Sequence, residues 1–498
     1  MDSTVLKLGV VTAIAAALAG CGAVRDAKRA QRNAADAMTG AEVPGAAIDL
    51  KGRTLQELVE FAHKSRPSMR SAALAVEDAR LRLREIAADA PLASMTPWNA
   101  LSANASLGYS ESSKTAHWSD LKAKTLKSKG TGALSLDLLI WDFGRNAASV
   151  RAQTESILAA ELSLEKEGYT VFGDVSTYYF ELLRNEALVE VAITNLHQNA
   201  QHLAQAEDLY REGEAQQLDV LRARLDMARA AEVLVAASND VTVAGANLMA
   251  AMGVSADRGD YLSVLGTRVP MLADKAPPAF RKTTYTVEEA FDFARTNAPS
   301  MQIARAKLRA ASAQVDRAVA DLFPSISASV SLNWTDHVWY WRWGVSAAQT
   351  LFTGGRKVTA VERAVVAMKS AESEVHAAEQ ALSRNLGIAI AERDNAMEAL
   401  RTAIESVRQA SENLDTVRSR FEVGDVSRVD FTDAVSAYAE ALASRVKAFY
   451  RGQMAEAALF ELTGTEPQYV DAAEWARRRA ERESAAKSRE KSESKSGR

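Results

Sequence analysis

Cysteine is nearly missing: Cys21 is the only one in 498 residues. A lone cysteine forms no internal disulfide. Proline is scarce, and none lies between Pro97 and Pro270 or between Pro324 and Pro467. Proline breaks helix interiors, so both stretches are open to very long helices. Glycine is sparse too, while Ala, Leu, Val, Glu, Arg and Gln dominate, which favours helix. Neither sign of charge prevails. The net charge is −4 and the pI about 6.0, which argues against a nucleic-acid partner. There is no internal run of eighteen or more apolar residues, so no bilayer-spanning helix is expected. Strands of a membrane barrel give a weaker signal and stay open. The six histidines are scattered, and His197 and His202, five apart, do not share a helix face as zinc ligands do. There is no HExxH, P-loop or Gly-x-Ser-x-Gly pattern. No catalytic residue, cofactor or metal site is expected. The length allows two to four ordinary domains.

What is present begins with an address. Residues 1–20 carry Lys7 and the apolar run "GVVTAIAAALAG", a short secretory signal by pattern, ending in "LAGC" at Cys21. This stretch resembles the lipobox of bacterial lipoproteins. The resemblance implies cleavage before Cys21 and lipidation of its thiol. Each buried acyl methylene would add roughly 0.8 kcal/mol of membrane affinity. Gly22, rather than an acid, follows the cysteine, and by the same resemblance permits sorting to the outer membrane. The other reading is an ordinary buried cysteine.

The rest of the chain is written twice. "TLQELVEFAHKSRPSMRSA" from Thr54 answers "TVEEAFDFARTNAPSMQIA" from Thr286, an offset of 232. "WDFGR" (Trp141–Arg145) answers "FTGGR" (Phe352–Arg356), "YREGEAQQLDVL" answers "FEVGDVSRVDFT", and "ANLMAAMG" answers "AALFELTG", all at an offset of 211. The first copy therefore holds 21 extra residues, around the lysine-rich "KTAHWSDLKAKTLKSKG", which reads as an exposed loop. A repeat this long is a duplicated half rather than a solenoid unit. The expected division is signal 1–20, lipidated segment 21–53, first repeat 54–270, linker 271–285, second repeat 286–467 and a charged tail 468–498. Each repeat reads as helix, β-hairpin (about 99–142 and 325–352), very long helix, tip turn (about 210–215 and 421–426) and long helix. From Arg145 to Arg211 a helix would rise about 100 Å. Val358, Val361, Val365, Met368, Val375, Leu382, Leu386 and Ala389 follow three-four spacing, which suits a coiled-coil seam.

The hairpins point to a membrane. Ile326, Ala328, Val330, Leu332 and Trp334 alternate with Ser325, Ser327, Ser329, Ser331 and Asn333. Trp339, Trp341, Trp343, Val345 and Ala347 then alternate with mostly small or polar residues. Period-two alternation marks a half-buried strand. One greasy face and one serine-rich face suit a barrel wall, lipid outside and water inside. Indoles such as Trp141, Trp334, Trp339, Trp341 and Trp343 favour the membrane–water interface. A soluble sheet packed on a helix would also alternate. Four strands cannot close a barrel, and open edges are not tolerated in lipid, so several copies would have to close one wall.

The duplicated order, with "WDFGR", "YREGEAQQLDVLRAR" and "FEVGDVSRVDFTDA", resembles the TolC-type outer-membrane efflux family from about Leu55 to Gly464. The resemblance implies a mainly α fold with a small antiparallel β part. It implies a homotrimer, with a twelve-stranded membrane β-barrel continuous with a twelve-helix periplasmic α-barrel. Such a protein is a passive exit duct in outer-membrane lipid, joined by a periplasmic adaptor protein to an inner-membrane pump. Gly213 and Gly424 fall where a long helix turns back, and glycine adopts positive φ cheaply. The resemblance places the adaptor-docking tip there, at Tyr210, Gly213, Glu214, Phe421, Gly424 and Asp425. Asp430 and Asp433, at i and i+3, share a helix face, and Asp219 matches in the first copy. Three chains would gather these acids around one axis, and carboxylate rings favour cations. The resemblance makes them the gate. The plain alternative is solvated helix carboxylates. Phe421 and Val426 stand where the family's polar latch has a tyrosine and an arginine. A different class stays open: a lipid-anchored periplasmic coiled-coil scaffold or adaptor.

Overall fold

A computed structural model describes residues 29–31, 54–88, 101–108, 129–214, 216–254, 287–335, 338–350, 352–423 and 425–463. Cys21, Gly424, most of the lysine-rich stretch, the linker and the charged tail lie outside the described residues. Among the described residues the elements run α1 (Leu55–Ser65), α2 (Pro67–Ala88), β1 (Leu101–Gly108), β2 (Lys129–Trp141), α3 (Arg145–Arg211) and α4 (Gln217–Ala251). The second set is α5 (Val287–Asn297), α6 (Pro299–Ala320), β3 (Ser325–Thr335), β4 (Val338–Ala348), α7 (Arg356–Glu422) and α8 (Arg428–Thr463).

Element boundaries recur at the two sequence offsets. α1 and α2 reappear as α5 and α6 with both ends displaced by 232 positions, and α3 reappears as α7 with both ends displaced by 211. Both long helices have 67 residues, about 100 Å of rise. Two helices, not the single one expected from the sequence, precede each hairpin. The cause is Pro67 and Pro299. Proline disfavours the helical region for the residue before it. Arg66 sits at φ −68, ψ 126 and Ala298 at φ −60, ψ 129, both extended, so the helix stops and restarts. Thr54 caps α1, its Oγ1 accepting from the Glu57 N–H at 3.4 Å.

Each 67-residue helix starts at a glycine in the left-handed region, Gly144 (φ 85) and Gly355 (φ 82). In the first copy Asp142 supplies the missing cap. Its carboxylate accepts from Gly144 N–H at 3.1 Å and Asn146 N–H at 2.8 Å, satisfying amides that have no partner within the helix.

The main core sits midway along the long helices, where α1, α3, α4 and α8 meet. Leu58, Val171, Val175, Leu182, Leu248, Met252 and Val446 are buried there. Burying one such side chain fully stabilises by about 1.5–3 kcal/mol. A smaller cluster joins α5, α6 and α7 through Ala298, Met301, Leu382, Leu386 and Ile390. The three-four seam on α7 is buried at Leu382, Leu386 and Ala389 but open at Val358, which is 57% exposed. α4 is apolar on two sides. Val220, Ala223, Val241 and Leu248 are buried, while Leu218, Leu221, Leu225 and Val243 line the opposite side, exposed. By length and composition α4 could cross a membrane, yet its inner face packs along α3. Two apolar faces suit a helix placed between neighbours on both sides.

The strands form one antiparallel sheet in the order β1-β2-β3-β4. Among the described residues β1 and β4 each pair on one side only, so both edges of the sheet are open there.

Candidate functional site

Register decides what each face of the sheet carries. Leu134 stands opposite Leu332, Leu136 opposite Val330, Leu332 opposite Trp341, Val330 opposite Trp343 and Ala328 opposite Val345. On the other alternation Ser135 meets Ser331, Ser331 meets Arg342 and Ser327 meets Ser346. The apolar residues therefore form a continuous stripe across strands, and the serines form another. Among the described residues nothing covers the apolar stripe. Trp339 is 55% exposed, Trp341 59%, Trp343 81% and Val345 68%. The greasy face therefore does not pack on any of the described helices. Large apolar patches left open mark an interaction with lipid or another protein.

Aromatics cluster at both ends of the stripe. Trp334 pairs with Trp339 at the hairpin-loop end, and Trp334's side chain lies outside the described residues. At the helix end Trp141 meets Phe143 edge-on at 6.2 Å, and Phe143 stacks on Phe323 at 5.2 Å. Trp141 stands opposite Ile326. From Ile326 to Trp334 the strand runs roughly 27 Å. A strand tilt of about 40° leaves roughly 20 Å, close to the ~25 Å apolar band between the aromatic girdles of membrane barrels. The sequence singled out the tryptophans. It passed over Phe143 and Phe323, whose signal was their adjacency to the two hairpin ends.

At the other end of the helices the two turns share a backbone bond. Gly213 (φ 82) follows α3. Its N–H donates to Tyr210 O at 3.1 Å and the Glu214 N–H donates to Leu209 O at 2.9 Å. This pair of bonds is the left-handed helix stop that glycine permits. The second turn repeats the bond that spans five residues, 211 positions on, from Asp425 N–H to Arg420 O at 2.9 Å. Asp425 also takes Arg420 into an ion pair at 2.8 Å. Tyr210 is half exposed and Val423 is 78% exposed, so the two tips present apolar as well as charged surface.

The expected acids sit just past these turns. Asp430 is exposed and occupies the first turn of α8. Ser427 Oγ accepts from its backbone N–H at 3.3 Å and donates to its Oδ2 at 2.6 Å. Asp433 is exposed one turn later. Asp219 is differently placed: it is partly buried, and its carboxylate accepts from the Gln216 N–H at 3.2 Å, capping α4. Phe421 does not act as a polar latch. It stacks on Phe431 at 5.1 Å, and both rings lie against His202 of α3, at 6.1 and 5.5 Å. This aromatic contact ties the α7–α8 turn to α3. Sequence reasoning missed Phe431 and His202, because no spacing rule links positions on separate helices.

Among the described residues no group of histidine, cysteine or carboxylate side chains is arranged to hold a metal ion. The half-buried acids are dispersed along the helices. Burial raises the pKa of Glu186 to about 7 and pushes those of Glu456 and Glu461 upward. Glu461 packs against Gly173, where a Cβ would meet its Oε2 at 2.5 Å, and accepts from Thr170 Oγ1 at 3.1 Å. These contacts join α3 of the first copy to α8 of the second.

Known proteins agree with this geometry. The chain's fold is similar to VceC of Vibrio cholerae (20% identity, TM-score 0.68, covering 82% of this chain and 96% of that one). It is similar also to CmeC, an outer membrane channel of Campylobacter jejuni (15%, 0.69, 85% and 88%). A third is the open state of the MtrE outer membrane channel of Neisseria gonorrhoeae (20%, 0.61, 82% and 88%). None of the curated proteins matches by sequence. The family described as Outer membrane efflux protein matches residues 58–254 and 291–465, both copies of the repeat. The chain belongs to the outer membrane efflux protein family, whose members are passive channels of the bacterial outer membrane with a helical periplasmic extension, and not enzymes.

Proposed function

We propose that three copies of this chain close one duct, a twelve-stranded barrel in the outer membrane above a twelve-helix tunnel in the periplasm. The duct takes substrate passively from an inner-membrane pump through a periplasmic adaptor. The observation that carries this reading is the one-sided sheet. Among the described residues its apolar face is uncovered and its two edges, β1 and β4, have no further strand beside them. Backbone left unpaired in lipid costs several kcal/mol per group, so the edges must meet those of other copies. The exposed apolar stripe on α4 asks for a neighbour in the same way.

Three finer assignments go with it. Cys21 carries the lipid. Tyr210, Gly213, Glu214, Phe421, Gly424 and Asp425 form the docking tip for the adaptor. Asp430 and Asp433 line the constriction, with Asp219 beside them as a helix cap. In support, Asp430 and Asp433 are exposed on one side of α8 near the tip, while Ala434 and Val435 are buried among α7 residues. Photo-crosslinking groups at Tyr210 and Asp425 test the docking tip. Capture of an adaptor at both positions is expected, and capture only at mid-helix control positions contradicts it. Cys21→Ser tests the anchor. The variant is expected to lose acylation yet stay in the membrane. Its release into the soluble fraction would return the chain to a lipid-anchored rod.

A further inference from the structure

Among the described residues the strands contain three charged residues, Lys129, Asp137 and Arg342, and all three positions belong to the serine alternation. On the duct reading, on which this inference rests, that face lines the water. Arg342 is exposed and has no carboxylate partner among the described residues. Its row across the sheet consists of Ser331, Ser135 and Ser102, none of which carries a charge. Tyr340, two positions away on the same face, holds the guanidinium carbon 5.7 Å from its ring centroid. A cation over an aromatic face is steadied there without being neutralised.

Asp137 does not cancel it. Asp137 stands opposite Ser329, which stands opposite Gly344. That row is one step nearer the helices, and Asp137 is two strands from Arg342. The two backbones are about 12 Å apart at usual sheet spacings, beyond the ~8 Å screening length of physiological salt. Arginine also reaches farther from the wall than aspartate. Lys129 lies beyond both, at the loop end of β2. From the outside inward the charged positions are therefore cation, cation, anion.

We propose that three copies of Arg342, each braced by Tyr340, form a cationic collar in the outer half of the barrel that favours anionic solutes bearing carboxylate or phosphate groups. Guanidinium is suited to this, because it is weakly hydrated and matches such groups with paired donors. The outer end of the duct is then opposite in sign to the periplasmic end, where Asp430 and Asp433 stand.

The test is the reversal potential of the purified full-length trimer in a planar bilayer under a potassium chloride gradient. It is read for the parent and again in the Asp430→Ala/Asp433→Ala background. Arg342→Gln is expected to lower the chloride-to-potassium permeability ratio roughly ten-fold, because removing three unit charges about 7 Å from a passing ion in screened water shifts chloride and potassium about three-fold each in opposite directions. Arg342→Glu should lower it further and Arg342→Lys should hold it. Ser331→Asp, which leaves the arginine in place and sets an acid opposite it, should lower it as well. An unchanged ratio in Arg342→Gln and Ser331→Asp, with conductance retained, overturns the collar and leaves the duct standing. No conductance from folded trimeric parent protein overturns the duct and the collar with it.

Discussion

Phe143 and Gly354 occupy equivalent positions of the two copies and share a backbone shape, φ 54 and φ 59. Glycine adopts it freely, whereas a bulky residue pays strain of order 1–3 kcal/mol. Phe143 is held there by its stack on Phe323 and its contact with Trp141. A similar argument with the opposite sign applies to Gly253. It sits at φ +75, and a Cβ there would lie 2.9 Å from Arg66 Cα. Backbone cannot yield as a side chain can. Gly253→Ala should therefore destabilise by about 2–4 kcal/mol, read as a lower midpoint of thermal unfolding; an unchanged midpoint refutes the close packing of α4 on the α1–α2 corner. Glu186 gives a prediction in pH. Burial raises its pKa from 4.5 to about 7. Between those values the folded chain holds a proton that the unfolded chain has lost, so stability falls as pH rises. The contribution is complete below about 4.5 and gone above about 7. Its size is on the order of 1 kcal/mol once partial exposure is allowed for. Glu186→Gln should flatten stability across that window, and an identical slope in both proteins would exclude Glu186 as its source.

Among elements, the hairpins carry the sharpest contrast between adjacent residues. Val330 lies on the apolar stripe and Ser331 on the serine stripe. An arginine on the lipid face near the bilayer midplane costs about 2–4 kcal/mol, and one facing water costs little. Val330→Arg should therefore impair membrane insertion, while Ser331→Arg should insert as the parent does. Equal behaviour of the two in a membrane-extraction assay contradicts the assignment of faces. These elements were legible in the sequence because both periods were strong. Alternation over Ser325–Asn333 fixed one hairpin, and the long proline-free stretches allowed the 67-residue helices. The break at Pro67 and Pro299 is also written in the sequence, as the restriction proline sets on the residue before it, although the same two prolines also stand out as part of the repeat. The Phe421–Phe431–His202 stack was not legible. It joins three helices through positions far apart in the chain, and nothing in a helical period reports which faces meet. Asp219 was legible as the partner of Asp430 in the repeat. Its use as a cap on Gln216 depends on where the helix begins, which the repeat alone does not say.

For the whole molecule, the chain is half-finished by design. An open-edged sheet, a second apolar face on α4 and long, largely exposed helices are what a single protomer shows when its core is completed by copies of itself. On the trimeric reading, duplication lets one chain supply four of twelve strands, so that three chains suffice. The two tip turns share one helix-stop bond, while the side chains around it differ between copies: Arg420 pairs Asp425 in the second, and its counterpart in the first is Leu209. The central claim is a trimeric duct closed at its periplasmic end by Asp430 and Asp433. The most direct measurement is the single-channel conductance of the purified protein in a planar bilayer, beside the Asp430→Ala/Asp433→Ala variant. The account predicts a small cation-selective conductance in the parent and a larger, less selective one in the variant. An unaltered conductance and selectivity in the variant would contradict the acidic gate. No channel from folded, trimeric protein would contradict the duct itself.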